Sequence, residues 1–370
     1  MNMKAFYSVY LDEFVENLKQ IENNEDCKSV LILMTDDEHF SPALVDPVLQ
    51  SFSKSIIGGV FSEIIVRCAI KSNGVLLLPL PFDLKCQVFS FDDEHNYQSK
   101  FESNYSANLP DSGSIIIFAD AFVNGKSQFI ESLYDFFGNE FNFIGGGSGT
   151  TSFESSKNVV HNSGMHANAA VIGLTEECFS IGIAHGWNPI TKPMKATEVE
   201  LNEMKSINWE PAFDVYKQEV EEHSGLVFDQ NNFFEIAKSY PIGLIKIDGE
   251  TVIRDPFRVK DTTIHFLDLI DSGQYFSIMH GDVGSLLAAA SEAKGQCMTT
   301  FEGDDDTDGY LFCINCSSRG KFLEGMFAQE LKELSGNQTL YGALTFGEIA
   351  NIGNSFLEIY NKTVIVAKWK

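Results

Sequence analysis

The stretch FIGGGSGTTSF (143–153) places three consecutive glycines at 145–147 behind an apolar run, and a fourth glycine, Gly149, follows two positions later. A phosphate-binding P-loop needs Lys and then Ser or Thr after its last glycine, and a dinucleotide fingerprint needs a helix there. Neither is present, because Thr150 leads into a further strand-like pattern. We therefore predict that these glycines allow positive φ angles or a close approach between strands, and that they do not hold a phosphate.

Strand-like runs lie on both sides of the glycines. The segment NVVHNSGMHANAAVIGL (158–174) predicts a strand, a turn and a second strand. Towards the amino terminus, the dipeptide Asn73-Gly74 lies between two apolar runs, 64–70 and 75–80. Asn-Gly tolerates the positive φ angles that tight hairpin turns need, so these two runs are predicted to pair as a hairpin.

Helices and strands alternate irregularly along the chain, which predicts an α+β fold. Helical spacing of apolar residues is found over 11–21, 129–137, 211–224, 230–238, 284–294 and 322–335. Further strand-like runs are 178–184, 243–248, 262–270, 274–280, 310–316, 339–345 and 357–368. Periodicity weakens from His185 to Glu210, and the length exceeds what one core usually serves, so we predict two modules, 1–200 and 201–370. Each is expected to hold mainly antiparallel mixed sheets flanked by helices, in a layered αββα arrangement.

Composition excludes several classes of partner. The 370 residues include 52 acidic and 26 basic side chains, a formal net charge of −26. That charge repels a phosphate backbone and an anionic lipid surface, so neither nucleic acid nor a membrane is an expected partner. No apolar run has the length of a membrane span, and the amino terminus shows no secretion signal. Seven scattered cysteines are typical of reduced thiols, and we expect a cytoplasmic protein.

Two loops that follow predicted strands carry the candidate ligand-binding residues. CSSRG (316–320) precedes a helix, where free N–H groups, hydroxyls and a two-pronged guanidinium can hold a carboxylate. TFGEIAN (345–351) offers a carboxylate for an ammonium group. If both loops share one sheet edge, Arg319 and Glu348 would hold the two ends of a zwitterion such as an amino acid; alternatively, they pair with each other or with solvent. The candidate residues from these loops are Cys316, Ser317, Ser318, Arg319, Thr345 and Glu348.

Motifs for catalysis and for metal binding are weak. No nucleophile elbow or metalloprotease motif occurs, so we do not expect an enzyme. The alternative is a cysteine-dependent enzyme in which the helix amino terminus lowers the pKa of the Cys316 thiol. DDDTDG (304–309) matches the first half of an EF-hand loop, but the twelfth position is Asn315 instead of Glu, and we predict no metal site.

An ordered set of motifs resembles the FIST family, whose name stands for F-box and intracellular signal transduction. The resemblance covers nearly the whole chain. It is to a stand-alone bacterial sensor subgroup of the family, in which a FIST N and a FIST C module are paired. Its landmarks are FIGGGSGTTSFE (143–154), HGWNPI (185–190), VIRDPFRV (252–259), CSSRGKFLE (316–324), LTFGEIAN (344–351) and EIYNKT (358–363). The Ser317-Ser318 pair departs from the more apolar residues expected there.

The resemblance implies a function and adds site residues. It implies a sensor that binds a small ligand, with amino acids as one proposed class, and signals to a histidine kinase or a cyclic-dinucleotide enzyme. It also places Asn361 among the motif positions. Some relatives bind haem and report nitric oxide to a histidine kinase, so haem is an alternative cofactor, with His185 as the first candidate axial ligand and His161 and His166 behind it.

Overall fold

The computed structural model describes residues 3–91, 96–246, 251–301, 309–351 and 355–369. Its helices form where apolar residues recur every three or four positions; in the first of them, Phe14, Leu18 and Ile21 make the buried face. The helices are α1 (Leu11–Glu22), α2 (Pro42–Ser51), α3 (Tyr97–Tyr105), α4 (Lys126–Phe137), α5 (Ala212–Ser224), α6 (Phe233–Ala237), α7 (Val283–Thr300), α8 (Ser317–Leu323) and α9 (Phe327–Ser335).

The strands are short apolar runs, bounded in many places by turn residues. They are β1 (Phe6–Ser8), β2 (Ser29–Thr35), β3 (Ser55–Phe61), β4 (Glu63–Val66), β5 (Ala69–Lys71), β6 (Val75–Leu80), β7 (Lys85–Ser90), β8 (Gly113–Asp120), β9 (Phe141–Ser148), β10 (Val159–His161), β11 (Gly164–His166), β12 (Ala169–Thr175), β13 (Ser180–Ala184), β14 (Asn188–Pro189), β15 (Met194–Glu200), β16 (Glu203–Ile207), β17 (Glu210–Pro211), β18 (Ile242–Ile245), β19 (Thr251–Arg254), β20 (Pro256–Lys260), β21 (Thr263–Phe266), β22 (Tyr275–His280), β23 (Tyr310–Cys316), β24 (Thr339–Thr345), β25 (Glu348–Ala350), β26 (Glu358–Tyr360) and β27 (Val364–Lys368).

Within the described residues, these strands form four sheets. The first sheet has the order β1-β6-β2-β3-β10-β11, the second β7-β12-β8-β9-β25-β26, and the third β13-β27-β23-β24-β4-β5. The fourth has the order β19-β18-β22-β15-β16-β21-β20, with β14 beside β22 and β17 beside β16. Most neighbours are antiparallel, and one parallel pair lies at the centre of each of the first three sheets: β2 with β3, β8 with β9, and β23 with β24.

The first three sheets repeat one chain path, which defines three units. Each unit runs strand, helix, strand, helical crossover, strand, hairpin, strand. The first unit is 6–80 and the second is 85–175. The third begins with β13 at 180–184 and continues from α7 to β27, with residues 185–282 inserted between. All nine strands of the fourth sheet lie in this insertion.

The hairpin of each unit pairs with the sheet of another unit. Hairpin β4-β5 of the first unit joins β24 of the third. Hairpin β10-β11 of the second unit joins β3 of the first, and hairpin β25-β26 of the third joins β9 of the second. The exchange is cyclic, so sheets two and three each contain strands from both sides of residue 200.

Alternation along the central strands divides the core into a shared inner part and separate outer parts. On β2, Leu31 and Leu33 face the shared core, whereas Val30 and Ile32 pack with residues of α1 and α2. The second sheet packs its outer face against α3 and α4, and the third against α7 and α9. The α+β prediction, with mainly antiparallel sheets flanked by helices, is confirmed. The layering differs from one αββα stack, because three sheet-and-helix layers surround a common core.

The predicted hairpin at Asn73-Gly74 is wrong. Gly74 does adopt a positive φ of 86°, but the two runs it joins enter different sheets, since β5 ends the third sheet and β6 lies in the first. The tight hairpin turn lies one strand earlier, where Arg67 and Cys68 have φ values of 49° and 63°. The Asn-Gly dipeptide correctly indicated a turn, but a turn signal does not determine which strand the following segment pairs with.

The glycine stretch is confirmed as a place where backbones approach closely. A Cβ at Gly147 would overlap the Phe346 carbonyl oxygen, and one at Gly146 would lie 2.7 Å from a side-chain carbon of Thr345. The Gly147 N–H donates to the Gly347 carbonyl at 2.7 Å, and the Phe346 N–H donates to the Gly147 carbonyl at 3.0 Å. The stretch therefore joins the second sheet to the segment between β24 and β25.

Candidate functional site

The predicted site residues gather where the parallel strands β23 and β24 end. Cys316 ends β23, and Ser317 and Ser318 open α8. Thr345 ends β24, and Glu348 follows three residues later at the start of β25. Since the carboxyl ends of parallel strands meet at one edge of a sheet, the two loops share that edge, as the sequence predicted.

Arg319 has a different role from the one predicted. Its side chain is fully buried, and its Nε donates to both carboxylate oxygens of Glu330 on α9 at 3.0 Å. Its Nη1 donates to the carbonyls of His185 and Lys362, and its Nη2 to that of Leu286. Acceptors within the protein already contact each of its three nitrogens, so the structure gives no support to the expectation that Arg319 holds a ligand carboxylate.

Glu348 and Cys316 are also enclosed. Burial raises the pKa of Glu348 to about 8, although the Thr345 hydroxyl donates to it at 2.8 Å. Burial, and then the nearby Glu348, raise the pKa of the Cys316 thiol well above its ordinary value. The expectation that the helix amino terminus lowers the thiol pKa is therefore wrong, since desolvation opposes the thiolate. Glu348 is not exposed to a ligand ammonium group either.

A buried ion pair beside these residues was not found from the sequence. Lys362 Nζ lies 3.2 Å from Asp255 Oδ2 and 2.8 Å from the Ser318 hydroxyl, and it sits over the ring of Trp187. The Ser318 hydroxyl donates to the same Asp255 oxygen at 2.6 Å. The other oxygen, Oδ1, has no hydrogen-bond partner among the described residues. Burial raises the pKa of Asp255, and Lys362 offsets part of that rise.

The network continues across the molecule through Asn361. Its side-chain oxygen accepts the Asp255 N–H at 3.2 Å, and its side-chain nitrogen donates to Asp268 Oδ2 at 2.7 Å. The other Asp268 oxygen pairs with Lys126 of α4 at 2.8 Å. Burial opposes ionisation of Asp268, but Lys126 and Arg254 outweigh it and lower the pKa of that carboxyl. Of this group, only Asn361 was named as a site residue from the sequence, although Asp255 also lies in a family motif, VIRDPFRV.

Next to this network lies a cavity of about 820 Å³, which we call the α4 pocket. It lies between one face of α4, strands β18 and β26, and the segment before β22. Its lining residues are Ser127, Ile130, Glu131, Tyr134, Asp135, Leu244, Lys246, Arg254, Leu269, Asp271, Gln274, Phe356, Leu357, Glu358 and Ile359. None of the seven predicted ligand-binding residues is in this described lining, so the network containing them lies behind the pocket.

Arg254 connects the network to the α4 pocket. Its side chain is only 6% exposed, yet it lines the cavity. Its Nε donates to the Leu269 carbonyl at 3.2 Å, and its Nη1 to the Ile359 carbonyl at 2.7 Å and to that of Ile253. Its Nη2 has no hydrogen-bond acceptor among the described residues. A guanidinium nitrogen left open in this way can bind a carboxylate or another oxygen acceptor.

The three predicted haem histidines lie away from the α4 pocket. Burial, and then the charge of Arg319, lower the pKa of His185 to about 4, so its imidazole is neutral, and its Nδ1 accepts the Trp187 N–H. His161 and His166 both contact the Ser163 hydroxyl at 2.8 Å. None of the three belongs to the described pocket lining, so the haem alternative gains no support from this geometry.

Metal ligands do not cluster in the described part of the chain, where no group of three His, Cys, Asp or Glu side chains is placed to hold an ion. Most of the DDDTDG segment (304–309) lies outside the described residues.

Family comparisons divide the chain into two consecutive matches. A model of the FIST N domain matches residues 29–210, and a model of the FIST C domain matches residues 212–351. A search of curated proteins gave no match. Over the residues that the structure describes, no helix is both long and apolar enough to cross a membrane.

Proposed function

The chain belongs to the FIST family, whose domains are associated with sensory signal transduction, and from this premise we propose that it is a bacterial small-ligand sensor. Its ligand binds in the α4 pocket, with amino acids as the first class to test. The bound state is passed to a partner protein, either a histidine kinase or a cyclic-dinucleotide enzyme. The two predicted modules, 1–200 and 201–370, stay part of this proposal. Residues of both modules line the pocket in which the ligand is proposed to bind.

The observation that carries the proposal is the open Nη2 of Arg254 in the α4 pocket. A buried guanidinium is expensive to desolvate, and full pairing inside the protein is its usual compensation. Arg319 has an acceptor at each of its three nitrogens. Arg254 has acceptors at only two of its nitrogens among the described residues, and it lines a cavity large enough for a small molecule. A ligand carboxylate would complete its set of acceptors.

The buried network behind the pocket supports a role in transmission. Arg254 contacts the Ile359 carbonyl, and Asn361, two residues on, joins Asp268 to Asp255. Buried ion pairs of this kind contribute little net stability, so their presence between units suggests another use. We propose that the predicted residues Cys316, Ser317, Ser318, Arg319, Thr345, Glu348 and Asn361 act here, by responding to the ligand through this network instead of touching it.

A binding protein is preferred over an enzyme. The cysteine-dependent alternative required a reactive thiolate. Cys316 is only 4% exposed, and burial raises the pKa of its thiol. The absence of catalysis stays a proposal. Slow labelling of Cys316 by iodoacetamide in the folded protein would support it, and rapid labelling at neutral pH would revive the enzymatic alternative.

Thermal unfolding with a panel of amino acids tests the proposal, because a ligand that binds the folded state raises its melting temperature. We expect at least one amino acid to raise Tm in the wild type. Leu269→Trp fills the pocket from a side chain that is 44% exposed, so it should abolish the shift without unfolding the protein. Arg254→Lys, with its unliganded Tm measured first, should weaken the shift. No response to any member of the panel, or equal responses in Leu269→Trp, would overturn the proposal.

The haem-binding nitric oxide sensor stays a second prediction from the family resemblance. Its support in the molecule is limited to the neutral imidazole of His185, the state that an axial ligand requires. A visible absorption spectrum after haem reconstitution tests it. A Soret band that disappears in His185→Ala would favour this alternative, and a spectrum without the band would remove it.

A further inference from the structure

Carboxylates surround the mouth of the α4 pocket. Glu131 and Asp135 lie one helical turn apart on α4, and Asp271 faces them from the segment before β22. Glu358 is the fourth, and it is paired with Lys246. Glu131, Asp135 and Asp271 form no ion pair among the described residues, so negative charge predominates at the mouth.

These charges disfavour one another. Burial raises the pKa of Glu131, and the neighbouring Asp271, Asp135 and Glu358 raise it further, with only Lys246 acting in the opposite direction. A cation placed among them would relieve this repulsion, because opposite charge stabilises the ionised carboxylates.

The mouth also exposes apolar and aromatic surface. Phe356 is 65% exposed, and its ring lies 5.3 Å from that of Tyr134. Leu269 is 44% exposed on the opposite side. An aromatic pair beside carboxylates suits an alkylammonium group, whose charge interacts with the ring faces and whose methylene groups cover apolar surface.

The buried end of the pocket provides an independent indication of a ligand. Arg254 is only 6% exposed, and its Nη2 donates no hydrogen bond to any described residue. Acceptors are thus required at the inner end and positive charge at the outer end. The two ends therefore differ in the chemistry that they recognise.

We infer that the mouth of the α4 pocket is an ammonium subsite, which binds the terminal amine of an elongated aliphatic ligand whose oxygen acceptors reach Arg254. Since the inner end belongs to the proposed ligand site, this inference rests on the proposed function and narrows it to amino acids with a cationic side chain. A simple aliphatic diamine shares the ammonium chemistry but lacks the carboxylate.

Three matched ligands separate the two ends of the pocket. Lysine carries both groups, norleucine lacks the terminal amine, and 1,5-diaminopentane lacks the carboxylate. Isothermal titration at moderate salt should give lysine an affinity about tenfold or more above that of either analogue. Equal affinities for lysine and norleucine would overturn the ammonium subsite.

Two exposed charge variants locate the effect. Glu131→Gln and Asp271→Asn, separately and together, should reduce lysine binding by about fivefold to tenfold each and leave norleucine unchanged. Glu140→Gln removes an equal charge from an exposed position outside the pocket lining, and should have no effect. Equal losses in Glu131→Gln and Glu140→Gln would show a general effect of net charge and would overturn the inference.

The outcomes also separate this inference from the proposed function. In one outcome, amino-acid binding is lost in Leu269→Trp and yet has the same affinity in Glu131→Gln and Asp271→Asn as in the wild type. That result would sustain the sensor proposal and overturn the ammonium subsite. Binding of 1,5-diaminopentane that depends on Glu131, with no amino acid binding, would sustain the subsite and overturn the amino-acid proposal. Failure of all three ligands to bind would overturn the ammonium subsite, and the sensor proposal would then be decided by the remaining amino acids of the panel.

Discussion

The second and third units place polar clusters at matching strand ends, but the two clusters are built differently. In the second unit, Asp120 ends β8 and is fully buried. Its carboxylate accepts the N–H groups of Phe122 and Asn168 at 3.2 and 3.0 Å, the Asn158 side-chain amide at 3.2 Å, and the Ser155 hydroxyl. Neutral donors alone therefore satisfy this carboxylate within the described residues.

In the third unit, the corresponding edge is crowded with ionisable groups. Lys362 and Asp255 pair there, one oxygen of Asp255 is left without a partner, and Glu348 has a raised pKa. Arg254, Asp255 and Asp268 all come from the insertion at 185–282, which has no counterpart in the second unit. The repeated scaffold thus supplies a structural junction by itself, and the inserted segment adds the charges and unpaired atoms that are typical of functional sites.

The largest expected effect on stability comes from removing Arg319, the buried cation of the third unit that has an acceptor at each of its nitrogens. Arg319→Ala should lower the free energy of unfolding by about 3–5 kcal/mol, because it leaves Glu330 buried without its partner. Urea unfolding monitored by circular dichroism measures this change. The double variant Arg319→Met/Glu330→Leu should recover part of the stability. An unchanged midpoint in Arg319→Ala would contradict the assignment of a structural role.

The second effect concerns the pH dependence that Glu348 confers on the third unit. The folded state holds its proton more tightly than the unfolded chain does, so stability should fall as pH rises from about 4.5 to about 8 and level off above that. Glu348→Gln cannot ionise, and should reduce the difference in unfolding free energy between pH 5 and pH 9 by about 3 kcal/mol.

A matched control for Glu348 is present in the first unit. Glu63 opens β4 as Glu348 opens β25, and burial raises its pKa while Lys321 partly offsets the rise. Because Glu63 is only half-buried, Glu63→Gln should change the pH dependence less. Equal changes in the two variants would contradict the stronger desolvation of Glu348.

A smaller effect is expected from the neutral junction of the second unit. Asp120→Ala removes the acceptor for four donors and should cost about 2 kcal/mol of unfolding free energy. Asp120→Asn keeps one acceptor oxygen and should cost less. Neither change should alter ligand binding in the α4 pocket, which titration with the best amino acid would check. Loss of binding in a folded Asp120→Asn protein would break the distinction between the two clusters.

The smallest effect tests the strand contact that both clusters share. Gly147→Ala introduces a methyl group against the Phe346 carbonyl and should destabilise the fold by about 1–2 kcal/mol. Gly295 lies on an exposed face inside α7, with no atom within 4 Å of an added Cβ. Gly295→Ala should therefore stabilise the protein by about 0.5–1 kcal/mol. Thermal denaturation of both variants compares them, and the same sign for both would contradict the close approach at Gly147.

Local patterns predicted the elements well because local residues determine them. The spacing of Phe14, Leu18 and Ile21 was sufficient for α1, and Pro211 and Gly225 bounded α5. The three-unit repeat was not visible, since it is a repetition of chain path and not of sequence. The exchange of hairpins was hidden for a related reason: strand partners such as Glu63 and Leu344 lie far apart in the chain.

The sequence indicated the buried polar network, but neither its contacts nor the pocket beside it. The two loops at 316–320 and 345–351 share one sheet edge, since they follow parallel neighbouring strands. The ends of those strands could be inferred from the periodicity of the sequence. The partner of Arg319 could not be inferred, since Glu330 reaches it from the next helix. The α4 pocket had no sequence signal either, because Glu131, Arg254 and Phe356 come together only through the inserted segment and the exchanged hairpin.

The cyclic exchange of hairpins has a consequence for synthesis on the ribosome. The first sheet is complete only after β10-β11 of the second unit have been synthesised. The second sheet is complete only after β25-β26, which end at Tyr360. Until those last strands leave the exit tunnel, β9 presents an unpaired, glycine-rich edge that can pair with another nascent chain. Closure of the second sheet is thus tied to the synthesis of residues 348–360, and a ribosome stalled before residue 348 would hold a chain whose second sheet is still open.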